Sequence, residues 1–239
     1  MLKIEHLEVV GWEAAIRGMR NPMNSWSKSD SGYGKVVRTD AIIDDEEIHQ
    51  ELSYEFLIGE NDYELMTSLR KAGTDHRKYM RMITVYMDIT APLYWWKEFD
   101  TYKVGTVANS CSTMHKIASK PFSIDDFSHE HLFDTNNTPS GTTASIMVLT
   151  NVVKALNDYR YAYLAEKDPY RKKDIWWQLI QLLPSSYNQK RTVMLNYEVL
   201  TNIYKSRRNH KLDEWRAFCE AIEEMPYGGL ITRQFEKGE

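Results

Sequence analysis

Hydrophobic and polar residues alternate at the start of the chain, and this alternation predicts a β-strand over residues 2–10. Residues 12–19 then carry apolar side chains at helical spacing, and Pro22 marks the predicted end of that helix. The following segment, residues 21–39, is rich in Ser, Gly and Asn. This composition is typical of a flexible surface loop, so a loop is predicted there.

Two helices and a strand are predicted in the next part of the chain. The acidic residues at positions 44–47 favour a helix start, and that helix is expected to continue through Phe56. A second helix is predicted to end at Gly73, because glycine is favoured just past a helix C-terminus. Residues 79–90 are predicted to form a strand.

The second half of the chain is predicted to be mainly helical. Short helices are expected in the segments SIDDF and SHEHLF. Ser140 or Thr142 is a candidate cap for the first of the long helices, and Gly228 and Gly229 should end the last one and leave a short strand or tail. Apolar side chains recur at helical spacing over residues 144–167, 171–183, 189–205 and 212–224.

The segment TAPLYWWKEFDTYKVGTVANSCSTMHK, residues 90–116, has the most distinctive pattern of the chain. Thr90 is a predicted N-cap and Pro92 falls in the first turn, where its missing N–H removes no hydrogen bond. The predicted helix carries Trp95, Trp96 and Phe99, a density of aromatic rings that indicates burial on most sides.

Small and polar residues follow that helix from Gly105 to Thr113. They offer hydroxyl, amide and backbone donors at close approach, which is typical of a ligand-binding loop. An ordinary connection between two elements has the same composition. Both interpretations remain open on composition alone.

Composition places the protein among globular chains. Its 239 residues are 42% hydrophobic, which suffices for a substantial core, and one α+β domain is expected over residues 1–239. The net charge of −4 provides no basic field for a nucleic-acid backbone, so no nucleic-acid partner is expected. No apolar run reaches membrane-spanning length, and a cytoplasmic protein without a membrane partner is predicted.

The cysteine and histidine pattern does not indicate a metal site. Cys111 and Cys219 are far apart in sequence and match no metal-ligand spacing, as expected for free thiols in a reducing compartment. His129 and His131 form a weak metal-like pair, but two such residues in a polar stretch are more commonly solvated. A bound metal is therefore not expected.

The order of elements from residue 62 to residue 116 resembles the core of the flavin-dependent thymidylate synthases. In that family a helix that ends in Gly leads to a strand, then to an Ala-Pro that opens a helix, and then to the signature RHRxxSxNExSxR. The corresponding pieces here are ELMTSLRKAG, YMRMITVYMDIT, APLYWWKEF and TYKVGTVANSCST. A second block, Leu183-Pro184 followed by Asn196, Asn202 and Arg207, is similar to the family's Leu-Pro, Asn, Asn and Arg. The two blocks cover about half of the chain.

The signature itself departs from the family pattern. Fixed-geometry guanidinium groups are lost, and a single lysine does not replace them. The resemblance therefore implies the scaffold, an α+β fold with an antiparallel sheet assembled as a homotetramer, more strongly than the reaction. The family's Arg-His-Arg falls on Thr101, Tyr102 and Lys103, its first Ser on Thr106, its Asn-Glu on Ala108 and Asn109, its second Ser on Cys111 and its last Arg on Thr113.

The resemblance also implies a set of binding residues, with FAD as the candidate cofactor. The nucleotide-binding positions would be Arg207, Lys103, Thr106, Asn109, Ser110, Cys111 and Thr113. The cofactor-binding positions would be His76, Arg77, Tyr102, Asn196 and Asn202. By the same analogy the loop at residues 21–39 would close over a ligand, with stacking and phosphate-binding candidates at Trp26, Tyr33, Lys28, Lys35 and Arg38.

Three hypotheses for function remain open. The first is a nucleotide-binding protein with lost or altered catalysis that sequesters a nucleotide or a nucleotide signal. The second is a divergent flavoenzyme that modifies a pyrimidine nucleotide at C5, with the Cys111 thiol as the candidate nucleophile. The third is a structural oligomer without a small ligand, suggested by the tryptophan-rich helices.

Overall fold

The structure, a computed structural model, describes residues 2–40 and 49–233. The predicted helix start at positions 44–47 lies outside the described residues, as does the side chain of Arg38. The strands are β1 (Lys3–Val10), β2 (Gly32–Asp40), β3 (His49–Leu57), β4 (Thr84–Pro92), β5 (Val107–Ser110) and β6 (Asn188–Asn196). The α-helices are α1 (Trp12–Arg20), α2 (Glu60–Lys71), α3 (Leu93–Phe99), α4 (Thr113–Lys116), α5 (Ser145–Ala165), α6 (Pro169–Leu182), α7 (Tyr197–Arg207), α8 (Asp213–Glu223) and α9 (Gly229–Thr232).

The chain forms two compact units. Unit 1 consists of Met1–Leu7, Tyr86–Met194 and His210–Phe218, and unit 2 consists of Glu8–Val85, Leu195–Asn209 and Cys219–Glu239. The strand order of the four-stranded sheet is β1-β4-β6-β5, so β5 is an edge strand. A two-stranded sheet, β2-β3, belongs to unit 2.

Aromatic rings make up one core of unit 1. The Trp95 ring centroid lies 4.7 Å from that of Trp215 and 5.0 Å from that of Phe99. Trp95, Trp96 and Trp215 are fully buried, as the aromatic density of this segment predicts. Trp96 Nε1 donates to Gln189 O at 2.9 Å and Trp215 Nε1 donates to a Glu98 carboxylate oxygen at 2.9 Å, whereas Trp95 Nε1 is buried without a hydrogen-bond partner among the described residues.

A second core of unit 1 joins the helical hairpin α5–α6 to the segment that precedes it. Asn157 holds both backbone groups of Phe122, since its Oδ1 accepts from Phe122 N and its Nδ2 donates to Phe122 O, each at 2.9 Å. Arg160 Nε donates to Ala118 O at 3.0 Å. The apolar members of this core are Ile117, Phe122, Phe127, Leu149, Leu156 and Leu179.

The start of α3 differs from the prediction. β4 continues through Thr90 to Pro92, so Thr90 is not the N-cap, and Pro92 occupies that position without a side-chain cap. The N–H groups at the helix start are satisfied by backbone instead, because Leu93 N donates to Tyr187 O and Tyr94 N to Ser185 O, both at 3.0 Å. A partner about ninety positions away in the chain cannot be predicted from the local sequence.

The predicted helix over residues 189–205 is wrong in its first half. Residues Asn188–Asn196 form β6, in which Val193 and Leu195 are buried on alternate positions, and α7 begins only at Tyr197. Asn196 is the N-cap of α7, and its Oδ1 accepts from Val199 N at 3.0 Å.

Unit 2 contains the largest departure from the sequence predictions. The predicted loop at positions 32–39 and the predicted helix at positions 49–56 form an antiparallel hairpin, β2–β3, with Tyr33 opposite Phe56. Tyr33 stacks on Tyr54 at 5.8 Å and meets Phe56 edge-on at 5.3 Å. These cross-strand aromatic contacts stabilise the hairpin and outweigh its Ser- and Gly-rich start.

Other elements follow the sequence more closely. The structure confirms, within one to three residues, the predicted strand β1 and the predicted helices α1, α2, α5, α6 and α8. It also confirms Gly73 as the residue just past α2, with a positive φ of +106°. The candidate caps Ser140 and Thr142 are wrong, because Ala144 precedes α5 without a side-chain cap. Segment SHEHLF is not helical, and α9 replaces the predicted terminal strand or tail.

Candidate functional site

The residues predicted to bind nucleotide or cofactor are distributed over both units. Unit 1 contains Tyr102, Lys103, Thr106, Asn109, Ser110, Cys111 and Thr113. Unit 2 contains His76, Arg77, Asn196, Asn202 and Arg207.

In unit 1 the end of β5 brings Cys111 and Thr113 beside β6. Strand β5 pairs with β6 in antiparallel register, and Cys111 N extends the pairing by donating to Lys190 O at 3.0 Å. Gln189 Nε2 donates to Cys111 O at 3.1 Å and to Thr113 Oγ1 at 2.9 Å. The Cys111 side chain is exposed.

The orientation of the Gln189 amide is fixed by Arg191. Arg191 Nε donates to Gln189 Oε1 at 2.9 Å, which leaves the amide nitrogen of Gln189 to donate to Cys111 and Thr113. The guanidinium of Arg191 also lies 4.2 Å from the ring centroid of Trp96 and donates to Asp100 Oδ1 at 2.7 Å. The Arg191 charge is therefore already neutralised, and the residue acts as a support for Gln189.

A cavity of about 540 Å³ opens beside this network, and we call it the lysine cavity. Cys111, Thr113 and Gln189 line it together with Ser112, Asp125, Asp126 and four lysines, Lys3, Lys116, Lys120 and Lys190. Its volume lies within the range of small-molecule sites. Counted with the carboxylates of Glu5 and Asp88, which pair with lining lysines, the four ammonium groups are balanced by four carboxylates.

Three of the four lysines have carboxylate partners. Lys190 Nζ lies 3.1 Å from Asp88 Oδ2 and 3.4 Å from Glu5 Oε2, and Asp88 is the main cause of a raised pKa at Lys190. Lys3 Nζ lies 2.8 Å from Glu5 Oε1. Lys120 donates to Asp126 Oδ1 at 2.5 Å, which raises the pKa of Lys120.

Lys116 differs from the other three. It is exposed at the end of α4, and its ammonium group has no hydrogen-bond or ion-pair partner within the part of the chain that the structure describes. An ammonium without a partner is the group in this cavity that is most available to an anionic ligand.

The remaining predicted positions of unit 1 lie outside this cavity. Lys103, Asn109 and Ser110 are exposed, and the last two belong to the edge strand β5. Tyr102 is half-buried and meets Trp215 edge-on at 6.1 Å. Thr106 is half-buried, and its Oγ1 has no hydrogen-bond partner among the described residues.

In unit 2, Arg77 and Asn196 are already engaged in the fold. Arg77 Nη2 donates to Glu198 Oε1 at 3.0 Å, and Arg77 Nε lies 2.9 Å from Glu198 Oε2. Both side chains are largely buried. Asn196 uses its side-chain oxygen to cap α7. His76 and Asn202 are exposed, and Arg207 is half-buried in the last position of α7.

These contacts bear on whether the predicted cofactor residues suit FAD. The pyrophosphate of a dinucleotide calls for positively charged donors, and Arg77 is the one guanidinium in the predicted set. Because Glu198 neutralises it, the set offers no guanidinium free for a pyrophosphate. The residues predicted for FAD therefore do not fit its charged part.

The described part of the chain contains no cluster of side chains that could bind a metal ion. No group of three or more His, Cys, Asp or Glu side chains is placed to hold an ion there. The ring of His129 contacts Phe127 O at 2.8 Å, and that of His131 contacts Asp213 Oδ2 at 3.0 Å. Among the same residues, no helix is long and apolar enough to cross a membrane.

Comparison with solved structures yields two informative likenesses. The structure resembles thymidylate synthase X (ThyX) from Helicobacter pylori with FAD and dUMP, with a TM-score of 0.63, 14% identity and 98% of each chain covered. The protein has the ThyX fold. It also resembles the UMP/dUMP methylase PolB from Streptomyces cacaoi bound with 5-Br UMP, with a TM-score of 0.56 and 11% identity over 93% of this chain and 88% of PolB. No protein-family model and no curated protein sequence matches the chain.

The ThyX-like fold confirms the predicted mixture of helices and antiparallel sheet. Sequence reasoning missed the lysines of the cavity and Gln189, which come from four separate segments. One signal was present, since Lys190 and Gln189 follow the Leu-Pro block that carries the family resemblance. Lys116 and Lys120 had no comparable signal, because isolated lysines are common on any surface.

Proposed function

We propose that the protein binds a nucleotide or a nucleotide-like anion on its ThyX-like scaffold, and that the lysine cavity holds the phosphate. The observation that carries this proposal is the placement of Lys116, without a partner among the described residues, in a cavity of small-molecule size that three further lysines line. Two solved structures with this fold contain dUMP or 5-Br UMP.

The neutral donors of the cavity suit a phosphate as well. Ser112 and Thr113 offer hydroxyl groups beside the end of β5. Arg191 holds the side-chain amide of Gln189 in place. Gln189 Nε2 in turn donates to Thr113 Oγ1 at 2.9 Å, which fixes the position of that hydroxyl group. A preformed arrangement of this kind lowers the entropic cost of binding, because few side chains must be ordered by the ligand.

The lining contains lysines but no arginine, and this affects the class of ligand. Lysine acts as a point charge, whereas arginine holds phosphate in bidentate geometry. We therefore propose a ligand with one phosphate, or with a cyclic or linked phosphate, in preference to a nucleotide plus a dinucleotide cofactor. Flavin binding is expected to be weak or absent, because Glu198 neutralises Arg77.

Sequestration of the ligand, without turnover, is the activity that we propose for this site. The arginines of the family signature are replaced, and the predicted FAD positions do not fit a pyrophosphate. Arg207, which does not line the lysine cavity, remains a separately proposed nucleotide contact in unit 2 that rests on the family resemblance, and a homotetramer with sites shared between subunits remains the proposed assembly.

One observation favours an alternative. The exposed thiol of Cys111 lines the lysine cavity, so a pyrimidine whose phosphate lies there would have a nucleophile in the same cavity. The alternative function is a divergent flavin-dependent enzyme that modifies a pyrimidine nucleotide at C5.

The deciding experiment uses the purified full-length protein. Its absorbance spectrum and the mass of any molecule released on denaturation are recorded, and it is then titrated with UMP, dUMP and inorganic phosphate by calorimetry. A colourless protein that binds UMP or dUMP supports the proposal. A stoichiometric flavin band with conversion of dUMP to a C5-modified product supports the alternative. Absence of binding to all three compounds, with nothing released, contradicts both.

A further inference from the structure

A second cavity of unit 1, with a volume of about 640 Å³, opens between α4 and the helical hairpin α5–α6. We call it the α6 pocket. Met114 and His115 of α4 line it, whereas Thr113 and Lys116 of the same helix line the lysine cavity. The two cavities share no lining residue, so the α6 pocket is separate from the proposed nucleotide site.

The aromatic side chains of the α6 pocket are held in place. Trp176 Nε1 donates to Met114 O at 3.1 Å, and this bond ties the indole to α4. The ring centroid of Tyr163 lies 4.8 Å from Lys172 Nζ. Both rings pack, partly buried, against the second core of unit 1. A ligand ring that packs against Trp176 therefore meets an apolar surface that needs little ordering.

The charged side chains that line this pocket are Lys172, Lys173 and His115, and none of the described carboxylates lines it. Lys172 Nζ donates to the uncharged backbone oxygen of Glu166 at 3.3 Å. The Lys173 ammonium and the His115 imidazole have no hydrogen-bond or ion-pair partner within residues 2–40 and 49–233. The lysine cavity has balanced charges, whereas the α6 pocket has cations alone.

The carboxylates closest in sequence serve other groups. Glu166 Oε1 accepts from Asp168 N at 3.0 Å, and Glu166 Oε2 lies 3.4 Å from Arg171 Nε. Asp168 Oδ1 accepts from Arg171 N at 2.8 Å and so caps α6. Asp174 follows Lys173 on α6, but successive residues of a helix do not face each other. The positive charge of the pocket is therefore left for a ligand.

The sequence of α6 favours an anion as well. Apart from the N-cap Asp168, the start of the helix has no acidic residue, and its first turn contains Arg171 and Lys172. Positive side chains near a helix N-terminus are unfavourable with respect to the helix dipole, so these residues do not stabilise the helix. A bound anion would offset that repulsion.

We propose that the α6 pocket binds a small aromatic phosphate, of which phenyl phosphate is the model. The ring packs against Trp176, and the phosphate lies among Lys172, Lys173 and His115. A phosphate monoester carries about 1.5 to 2 negative charges at neutral pH, so it gains from several cations at once. This site does not depend on the lysine cavity or on the proposed nucleotide function.

The test uses phenyl phosphate as the probe and the indole N–H signals of the full chain in two-dimensional NMR. The Trp176→Phe variant identifies the signal of Trp176. Phenyl phosphate is expected to shift that signal in a saturable way. Inorganic phosphate should bind more weakly because it has no ring, and phenol should bind more weakly because it has no charge at pH 7.

Two charge reversals keep the test decisive. Lys173→Glu removes one attraction and adds a repulsion of similar size, so it should weaken binding about four- to twentyfold. Lys167→Glu is the matched control, since Lys167 is an exposed lysine between α5 and α6 that does not line the pocket. It should change the affinity by less than about twofold.

Three results would overturn the proposal. The first is a Trp176 signal that phenyl phosphate at about 10 mM leaves unmoved. The second is binding of phenol or of inorganic phosphate as tight as that of phenyl phosphate. The third is an equal loss of affinity in Lys167→Glu and Lys173→Glu, which would indicate a diffuse attraction to the surface.

Discussion

Arg20 Nε donates to Asp62 Oδ1 at 2.6 Å, and both side chains are buried, at 5% and 0% exposure. Loss of one member leaves the other as an uncompensated buried charge. We predict that Asp62→Asn lowers the free energy of unfolding by about 3–5 kcal/mol. Glu13→Gln, which breaks the exposed pair with Arg17, should cost less than about 1 kcal/mol. Urea denaturation at pH 7 measures both, and similar values for the two variants would contradict the prediction.

The same pair predicts a pH dependence. Burial acts to raise the pKa of Asp62, but the hydrogen bonds from Ser29, Ser31 and Arg20 outweigh it and lower the pKa. A carboxyl whose pKa is lower in the folded state than in the unfolded state stabilises the fold at pH values above its unfolded-state pKa, about 3.9. This stabilisation is lost as the pH falls through the folded-state pKa. The gap in unfolding free energy between the wild type and Asp62→Asn should narrow as the pH falls below about 4. A gap that stays constant would show that ionisation of Asp62 does not matter.

Lys116 provides the most direct test of the lysine cavity. Because the side chain is exposed and screened by water, we expect only a two- to fivefold loss of affinity for UMP in Lys116→Ala, roughly the range of exposed charge pairs. Lys97→Ala is the control, since Lys97 is exposed in the same unit but does not line the cavity. Calorimetry at two salt concentrations should also show weaker binding at higher ionic strength. Equal losses in the two variants would indicate a diffuse attraction.

The two cysteines should differ sharply in reactivity. Burial, assisted by Glu223 and Glu220, raises the pKa of Cys219 to about 12, whereas Cys111 is exposed in the lysine cavity. A thiol reagent at pH 8 should label one cysteine per native chain quickly, and Cys111→Ser should abolish that fast reaction. Saturating UMP should slow the labelling of Cys111. Fast labelling of both thiols, or no effect of UMP, would contradict these expectations.

Arg207 is the proposed charged contact from unit 2, and its neighbour serves as a control. Arg207 ends α7 and Arg208 is the C-cap. Removal of a guanidinium that binds phosphate should weaken binding about ten- to a hundredfold, so Arg207→Ala should lose that much affinity for UMP and Arg208→Ala should not. Full affinity in Arg207→Ala would remove this residue from the proposed site.

A homotetramer is the predicted state in solution. Helices α5 and α6 leave large apolar side chains exposed, including Met147, Val148, Tyr161, Leu164, Trp177 and Leu182. Exposed apolar area of this kind is typical of an interface. Light scattering at micromolar concentration should return four times the chain mass, and Leu164→Glu should shift the mass downward. A monomeric wild type would contradict the prediction.

The helices could be predicted where the local pattern was unambiguous. In α1 and α8 the apolar residues recur at helical spacing. Helix α6 was predicted from residue 171, two residues after its actual start, because Asp168 and Pro169 were interpreted as the end of the preceding helix. The hairpin β2–β3 was not predictable in this way. Its register depends on contacts such as Tyr33 with Phe56, and its first strand begins in a segment with the composition of a loop.

Strand β6 shows why the site was only partly predictable. Leu195, Val199 and Ile203 suggest helical spacing, but the alternation of Val193 with Leu195 belongs to a strand, and Asn196 marks the change. Because a helix was predicted there, Gln189 and Lys190 were not predicted as site residues, although both line the cavity from β6. The family resemblance predicted Cys111 and Thr113 as binding residues. Lys116 and Lys120 line the same cavity only because of tertiary packing, which the local sequence does not show.

The two hydrogen bonds between the Asn157 side chain and the backbone of Phe122 link helix α5 to the wall of the lysine cavity. Lys120 and Asp126 stand on either side of Phe122 in the chain and supply part of the cavity wall, while Asn157 lies on the helix behind. A sequence change on α5 therefore reaches the wall through two backbone hydrogen bonds without altering any group that faces the cavity. We expect substitution of Asn157 to change the affinity for the proposed ligand, although Asn157 does not line the cavity.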